Sequence, residues 1–284
     1  MSFFEGVTLM RSMMKYLPAT TAGFLSRVGS VCLVLCVLNL TRSAAGAAER
    51  EQFKVGSNEA FVIMPPDAVR VGVPTPWVWY APTLSKRHPN RDEQWMIDRL
   101  HAAGIALAGV DVGESYGSPQ GVLVYQAFYQ ELTTKRGFSR RPVLLARSRG
   151  GLMLYSWAVA NPESVAGIAG IYPVCNIASY PGIATAAPAF GLTADQLKES
   201  ITQHNPIDKL KPLAKQRVPI FHIQGDSDNV VPHEDNTELL EKRYRALGGP
   251  IQVELIEGQG HNMWRGWFES KSLTRFMIKH SLGK

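Results

Sequence analysis

Short apolar runs alternate with helical stretches along most of this 284-residue chain, and that alternation constrains the fold more than any other feature. The runs PWVWY (76–80), IALAGV (105–110), PVLLA (142–146), VAGIAGIY (165–172), PIFHI (219–223) and IQVELI (251–256) are continuous or nearly so, as strands buried on both faces require. Between them, apolar residues recur at helical spacing over 94–103 (closed by Gly104), 120–135, 150–161 (stopped before Pro162) and 236–247 (closed by Gly248 and Gly249). A final helix is predicted over 267–280. Strand and helix in strict order predict right-handed crossovers and an α/β fold: a mostly parallel central sheet with helices on both faces. One break interrupts the order. Residues 175–215 carry Pro181, Pro188, Pro206 and Pro212 and a single short helix candidate near 193–203, and they are expected to form a small lid insertion over the ligand-binding edge.

The N-terminal 48 residues follow other rules. Residues 28–40 read VGSVCLVLCVLNL, an apolar stretch too short for a comfortable membrane span of about 20 residues. Arg11, Lys15 and Arg27 precede it, and Ala45-Gly46-Ala47 follows as a small-residue cleavage site. Basic, apolar, then small is the order of a secretory signal peptide, so a secreted or periplasmic location is expected for residues 49–284. The alternative is an uncleaved membrane anchor at 28–40, the only route to a membrane partner. Cys175 is the one cysteine outside this segment, which fits export.

Charge narrows the partners. The chain carries +6, and the first 48 residues hold +3 of it (Arg11, Lys15, Arg27 and Arg42 against Glu5). The remaining charges are scattered without a basic run, so no nucleic-acid partner is predicted. No cofactor motif and no metal-ligand spacing such as H-E-x-x-H occurs, so neither a cofactor nor a metal is expected.

Three loops, each directly after a predicted strand, carry complementary chemistry. Ala146-Arg147-Ser148-Arg149-Gly150 joins a strand to a helix, with small residues two before and two after the serine. A serine on such a turn has its hydroxyl lifted above the strand ends, although serine is also a common helix cap. Gly225-Asp226-Ser227-Asp228-Asn229-Val230-Val231-Pro232 supplies carboxylates, and Gly258-Gln259-Gly260-His261 supplies an imidazole. A serine hydroxyl needs a base, and the base needs a carboxylate to fix its tautomer. In a parallel sheet those three loops share one edge. His222 lies inside a strand and is expected in the core. His88, His101, His204, His233 and His280 lack this setting and are expected on the surface.

In these motifs the chain, from about residue 60 onward, resembles the α/β-hydrolase superfamily. Gly225, Asp228, Val231 and Pro232 resemble the acid loop of its prolyl-oligopeptidase-like and dienelactone-hydrolase-like branches, which implies Asp228 rather than Asp226 as the acid. Asp111-Val112-Gly113-Glu114-Ser115-Tyr116 resembles a D-x-R-G-x-G stretch of the same branches, with Gly113-Glu114 where Arg-Gly is usual. The resemblance implies an α/β-hydrolase domain over 49–284 and a catalytic triad of Ser148, Asp228 and His261. An oxyanion hole would combine the Arg149 backbone N–H with a donor from Thr83 or Ala81, or with the Tyr80 hydroxyl.

Around that centre, Arg147, Glu114, Tyr116 and Trp264 are the candidate substrate-binding residues. One of the two arginines flanking Ser148 could grip a substrate carboxylate; the competing role for both is a structural ion pair. The expected function is a secreted serine hydrolase that cleaves carboxylic esters through an acyl-enzyme, with carbohydrate-linked or small-molecule esters as the candidate substrates. The alternatives are a prolyl-oligopeptidase-like peptidase and a non-catalytic binding protein on the same scaffold. Such peptidases carry an N-terminal propeller, and too few residues lie between the leader and the first predicted strand to form one.

Overall fold

The structure, a computed structural model, describes residues 49–84 and 89–284. The expected leader at 1–48 and His88 lie outside the described residues. Strand β3 (Trp77–Tyr80) shows how the sheet is built: all four residues are buried, Trp77 and Trp79 toward one face and Val78 and Tyr80 toward the other. The neighbouring strands are β1 (Glu49–Val55), β2 (Asn58–Met64), β4 (Ala106–Val110), β5 (Val143–Arg147), β6 (Gly167–Ile171), β7 (Ile220–Gly225) and β8 (Ile251–Ile256). They form one 8-stranded sheet in the order β1-β2-β4-β3-β5-β6-β7-β8. β1 and β2 are antiparallel, β2 is antiparallel to β4, and β3 through β8 run parallel.

Two helical layers close the sheet. One holds α2 (Pro119–Gln130), α3 (Gly150–Ala160), α7 (Lys211–Lys215) and α8 (Thr237–Ala246); the other holds α1 (Gln94–Ala102), α9 (Arg265–Phe268) and α10 (Lys271–Ser281). On the first face the Trp79 ring lies 5.1, 5.3 and 4.7 Å from those of Tyr125, Phe128 and Trp157. Each such aromatic contributes roughly 1.5–3 kcal/mol through burial. Residues 150–159 of α3 are all buried, because the sheet covers one side and residues 172–219 cover another. That segment contributes α4 (Ile183–Ala186), α5 (Ala194–Glu199) and α6 (Ile201–His204). Its own small core joins Val174, Ile177, Ala186 and Leu197 to Leu152 of α3. No helix among the described residues is long and apolar enough to cross a membrane.

Three features depart from the sequence reading. The hairpin β1–β2 was not foreseen, because an edge strand such as EREQFKV is too polar to show a buried run; its two-residue turn, with Gly56 at φ 61°, was the available signal. The final helix is two helices, because Ser270 is extended and its hydroxyl caps α10 by accepting from Leu273 N–H at 3.2 Å. His101, expected on the surface, is only 5% exposed, since α1 turns that side chain inward.

Gly170 in β6 tests the packing. A Cβ there would lie 2.4 Å from His222 Cδ2 and 2.8 Å from Pro173 Cγ. Gly170→Ala is expected to destabilise the fold by about 1–3 kcal/mol, read as a lower urea midpoint at unchanged slope.

Candidate active site

Ser148 stands between β5 and α3 with φ 48°, a left-handed conformation that a β-carbon disfavours. The neighbours hold it there. Its N–H donates to Ile171 O at 3.0 Å, and its carbonyl accepts from Gly151 N–H and Val174 N–H, both at 2.9 Å. The small residues after the serine are needed for space. A Cβ on Gly150 would meet that of Ala81 at 3.0 Å, and one on Gly151 would meet Val174 O at 2.4 Å.

The three expected triad members meet. Ser148 Oγ lies 2.9 Å from His261 Nε2, and His261 Nδ1 lies 2.9 Å from Asp228 Oδ2. The buried Asp228 carboxylate also accepts from Val230 N–H (3.0 Å), Val231 N–H (2.8 Å) and Gln224 Nε2 (3.2 Å). Asp226, its competitor, serves its own turn by accepting from Ser227 Oγ and Gly258 N–H. The ring of Tyr172 packs on the imidazole with centroids 4.4 Å apart, and its hydroxyl donates to Asn262 O at 3.3 Å. Burial pushes the Tyr172 hydroxyl above the usual phenol range, so it stays protonated.

A buried polar chain runs on from Asp228. Thr237 Oγ1 donates to Gln224 Oε1 (3.1 Å), which turns the Gln224 amide nitrogen toward Asp228. Thr237 Oγ1 lies 3.2 Å from His222 Nδ1, and His222 Nε2 lies 2.7 Å from the Tyr155 hydroxyl. The directions are mutually determined. Tyr155 donates to Nε2, so the imidazole proton sits on Nδ1 and points at Thr237. Burial drives His222 down to about 3, which keeps it neutral and the pattern intact.

The charged residues beside Ser148 are internally matched. Arg147 pairs with the buried Glu93, and its Nη2 lies 3.4 Å from Met263 Sδ. Arg149 donates to Glu114 Oε2 at 2.6 Å and to the Tyr180 hydroxyl. Glu114 Oε1 accepts from Leu84 N–H at 2.9 Å, so one carboxylate ties the residue after Ser148 to the loop after β3. Thr83 of that loop faces the elbow, its Cγ2 being 3.5 Å from where a Gly150 Cβ would stand. Tyr80, expected as an oxyanion donor, gives its hydroxyl to Glu93 at 3.4 Å instead, because β3 turns it into the face shared with α1. The Arg149 N–H has no protein acceptor among the described residues. Tyr116 is half-buried beside Glu114 and Arg149. Trp264 is 41% exposed and packs edge-on against Trp267. Glu93, Tyr172, Tyr180 and the Gln224 chain escaped the sequence reading. The one available signal was the pair of polar residues, His222 and Gln224, on one side of an otherwise apolar strand.

Neither a protein-family model nor a curated protein sequence matches the chain. Solved structures do. An S-formylglutathione hydrolase from Agrobacterium tumefaciens shares 16% identity at TM-score 0.65, over 84% of this chain and 97% of that one. Est1E from Butyrivibrio proteoclasticus shares 16% at 0.61, over 83% and 99%. A puromycin-hydrolysing peptidase from Mycobacterium tuberculosis shares 15% at 0.66, over 85% of this chain but only 40% of that one. A second puromycin hydrolase is likewise spanned over only 40% of its length. The chain has the α/β-hydrolase fold.

The state of His222 has a measurable consequence. Its folded value of about 3 lies below the ordinary imidazole value near 6.5, so acid protonates it first in the unfolded chain. Its contribution to stability is complete above about pH 6.5 and is lost as pH falls toward 3, at up to about 1.4 kcal/mol per pH unit. Urea unfolding of wild type and His222→Asn between pH 6 and pH 4 is expected to show a slope shallower in the variant by about one proton.

Proposed function

We propose that this protein is a serine hydrolase that cleaves carboxylic esters through an acyl-enzyme. The observation that carries the reading is the unbroken line from Ser148 Oγ through His261 to Asp228, both contacts being 2.9 Å. Ser148 Oγ attacks the ester carbonyl while His261 Nε2 takes its proton. Asp228 holds the imidazole by Nδ1 and stabilises the imidazolium that forms. The developing oxyanion takes the Arg149 N–H and a second N–H from Thr83 or Ala81, since the Leu84 N–H is held by Glu114. His261 then protonates the departing alkoxide. A water molecule repeats the sequence on the acyl-enzyme and frees the acid.

An ester fits the surroundings better than a peptide terminus. The carboxylates next to Ser148, Glu93 and Glu114, are both engaged by arginines, so neither stands free for a substrate ammonium. The arginines are equally engaged and leave no free cation for a substrate carboxylate. Exposed Leu84, Val230, Met263 and Trp264 belong to the loops after β3, β7 and β8 and offer an apolar rim to a neutral acyl or alcohol group. Carbohydrate-linked esters are the candidate substrates, met after export directed by residues 1–48. The peptidase reading draws on several structural neighbours, including a dipeptidyl peptidase 4 from Porphyromonas gingivalis of which this chain spans 37%.

Fluorophosphonate labelling of wild type is expected at Ser148 alone and is expected to vanish in Ser148→Ala. Asp228→Asn is expected to lower kcat on p-nitrophenyl acetate by a thousandfold or more, at roughly unchanged KM. An aminoacyl-proline anilide turned over with a higher kcat/KM than the ester would favour the peptidase reading, and a folded protein that resists the probe would remove both. The polar chain behind Asp228 makes a finer prediction. Thr237→Val frees the Gln224 amide to flip and is expected to cost roughly tenfold in kcat, whereas Thr237→Ser restores it.

A further inference from the structure

The scattered basic residues of the sequence converge at the end of the sheet opposite the triad. The segments that lead into β3, β5, β6 and β7, together with the end of α10, enclose a cavity of about 740 Å³ lined by Arg140, Arg141, Arg217, His280 and Lys284. A second cavity of about 620 Å³ shares its Pro219 and His280 wall and adds Arg245, Arg275 and Lys279. No aspartate or glutamate lines either one. Of the acids on the neighbouring elements, Glu241 binds Arg245 and Glu254 accepts from Ser272. Arg140, Arg217, Arg275, Lys279 and Lys284 are exposed and have no carboxylate partner among the described residues. Beside them, the Ser281 hydroxyl is buried without a hydrogen-bond partner. Five unmatched cations gathered on a domain whose net charge is only +3 form a local field that attracts anions.

We propose that this groove binds a linear acidic polysaccharide, whose repeated carboxylates would pair with the arginine forks along its length. The two cavities are concave and adjoin at Pro219 and His280, which suits a chain lying across both and not a flat membrane surface. No tryptophan or tyrosine lines the groove, and its Phe276 ring is half-buried between Phe221 and His280, so it offers no exposed ring of the kind on which single-stranded nucleic acids stack. It also has no projecting helix or ribbon to enter a duplex groove. Arg and carboxylate meet in two parallel hydrogen bonds, a geometry that lysine cannot reproduce. The site is separate from the triad, so binding stands or falls independently of the hydrolase reading.

The test uses the full chain and a fluorescein-labelled galacturonate octamer, followed by anisotropy, with neutral dextran of similar length as control. The octamer is expected to bind, the dextran is not, and affinity is expected to fall at least about tenfold between about 50 and 200 mM salt. Arg140→Glu with Arg217→Glu and Arg275→Glu together is expected to weaken binding at least about tenfold, while Ser148→Ala leaves it unchanged. Thermal unfolding checks that the triple variant is folded; if it is not, the single variants Arg140→Gln and Arg275→Gln are each expected to weaken binding measurably. Octamer binding that survives the charge reversals overturns the proposal. So does tighter binding, at equal charge concentration, of a duplex DNA or of phosphatidylserine vesicles, which would assign the groove to a nucleic acid or a membrane.

Discussion

The left-handed turn at Ser148 is the constraint to which the surrounding structure answers. A non-glycine residue held at φ 48° costs on the order of 1–3 kcal/mol, and it persists only where its neighbours over-determine it. Here they do so from three sides. β6 takes the serine N–H through Ile171, and the segment after β6 returns to the serine carbonyl through Val174. The loop after β3 presses Ala81 against Gly150. Those contacts leave no room for side chains at 150 and 151, which is why the turn ends in two glycines. The turn is also what places Oγ, rather than a backbone atom, within 2.9 Å of His261.

His261 is fixed in turn by groups that approach from different elements. Asp228 holds one ring nitrogen, and Tyr172 packs against the ring. Asp228 accepts four hydrogen bonds, three of them from Val230, Val231 and Gln224, so its carboxylate cannot swing away from the imidazole. The Gln224 amide has a unique orientation because of the protons behind it. A buried polar network of this kind is stable only when every member is satisfied. From Tyr155 to Asp228 each oxygen and nitrogen that could be orphaned has a partner. One misplaced proton on His222 would reverse the chain, and its burial keeps that proton count fixed.

How much of this was legible in the sequence depends on the range of the interaction. The parallel strands could be read because a strand buried on both faces is apolar at nearly every position, as in β4 and in β5 up to Ala146. The meeting of Ser148, Asp228 and His261 could be read because each follows such a strand, and a parallel sheet collects those positions at one edge. The hairpin β1–β2 was harder to read, since its edge strand β1 is mostly exposed and only β2 carries a buried run, Ala60–Ile63. Glu93 and Tyr180 could not be read. Their roles come from Arg147 and Arg149, which lie 54 and 31 residues away, and nothing local records such a pairing. The flanking arginines could be narrowed to two roles, but only the geometry shows both of them held by protein carboxylates.

The same topology accounts for both ends of the sheet. When strands run parallel, every loop that follows a strand emerges on one side and every segment that leads into one lies on the other. Ser148, Asp228 and His261 are brought together by the first set. Arg140, Arg141 and Arg217 are brought together by the second, since each lies just before β5 or β7. Arg275, Lys279 and Lys284 join them from the last helix and the residues after it, so cations far apart in sequence meet at one end of the sheet. A basic groove therefore requires no basic run in the sequence. Charge read along the chain understates charge read along an edge, and in a parallel sheet the edge is what a long anionic ligand would meet.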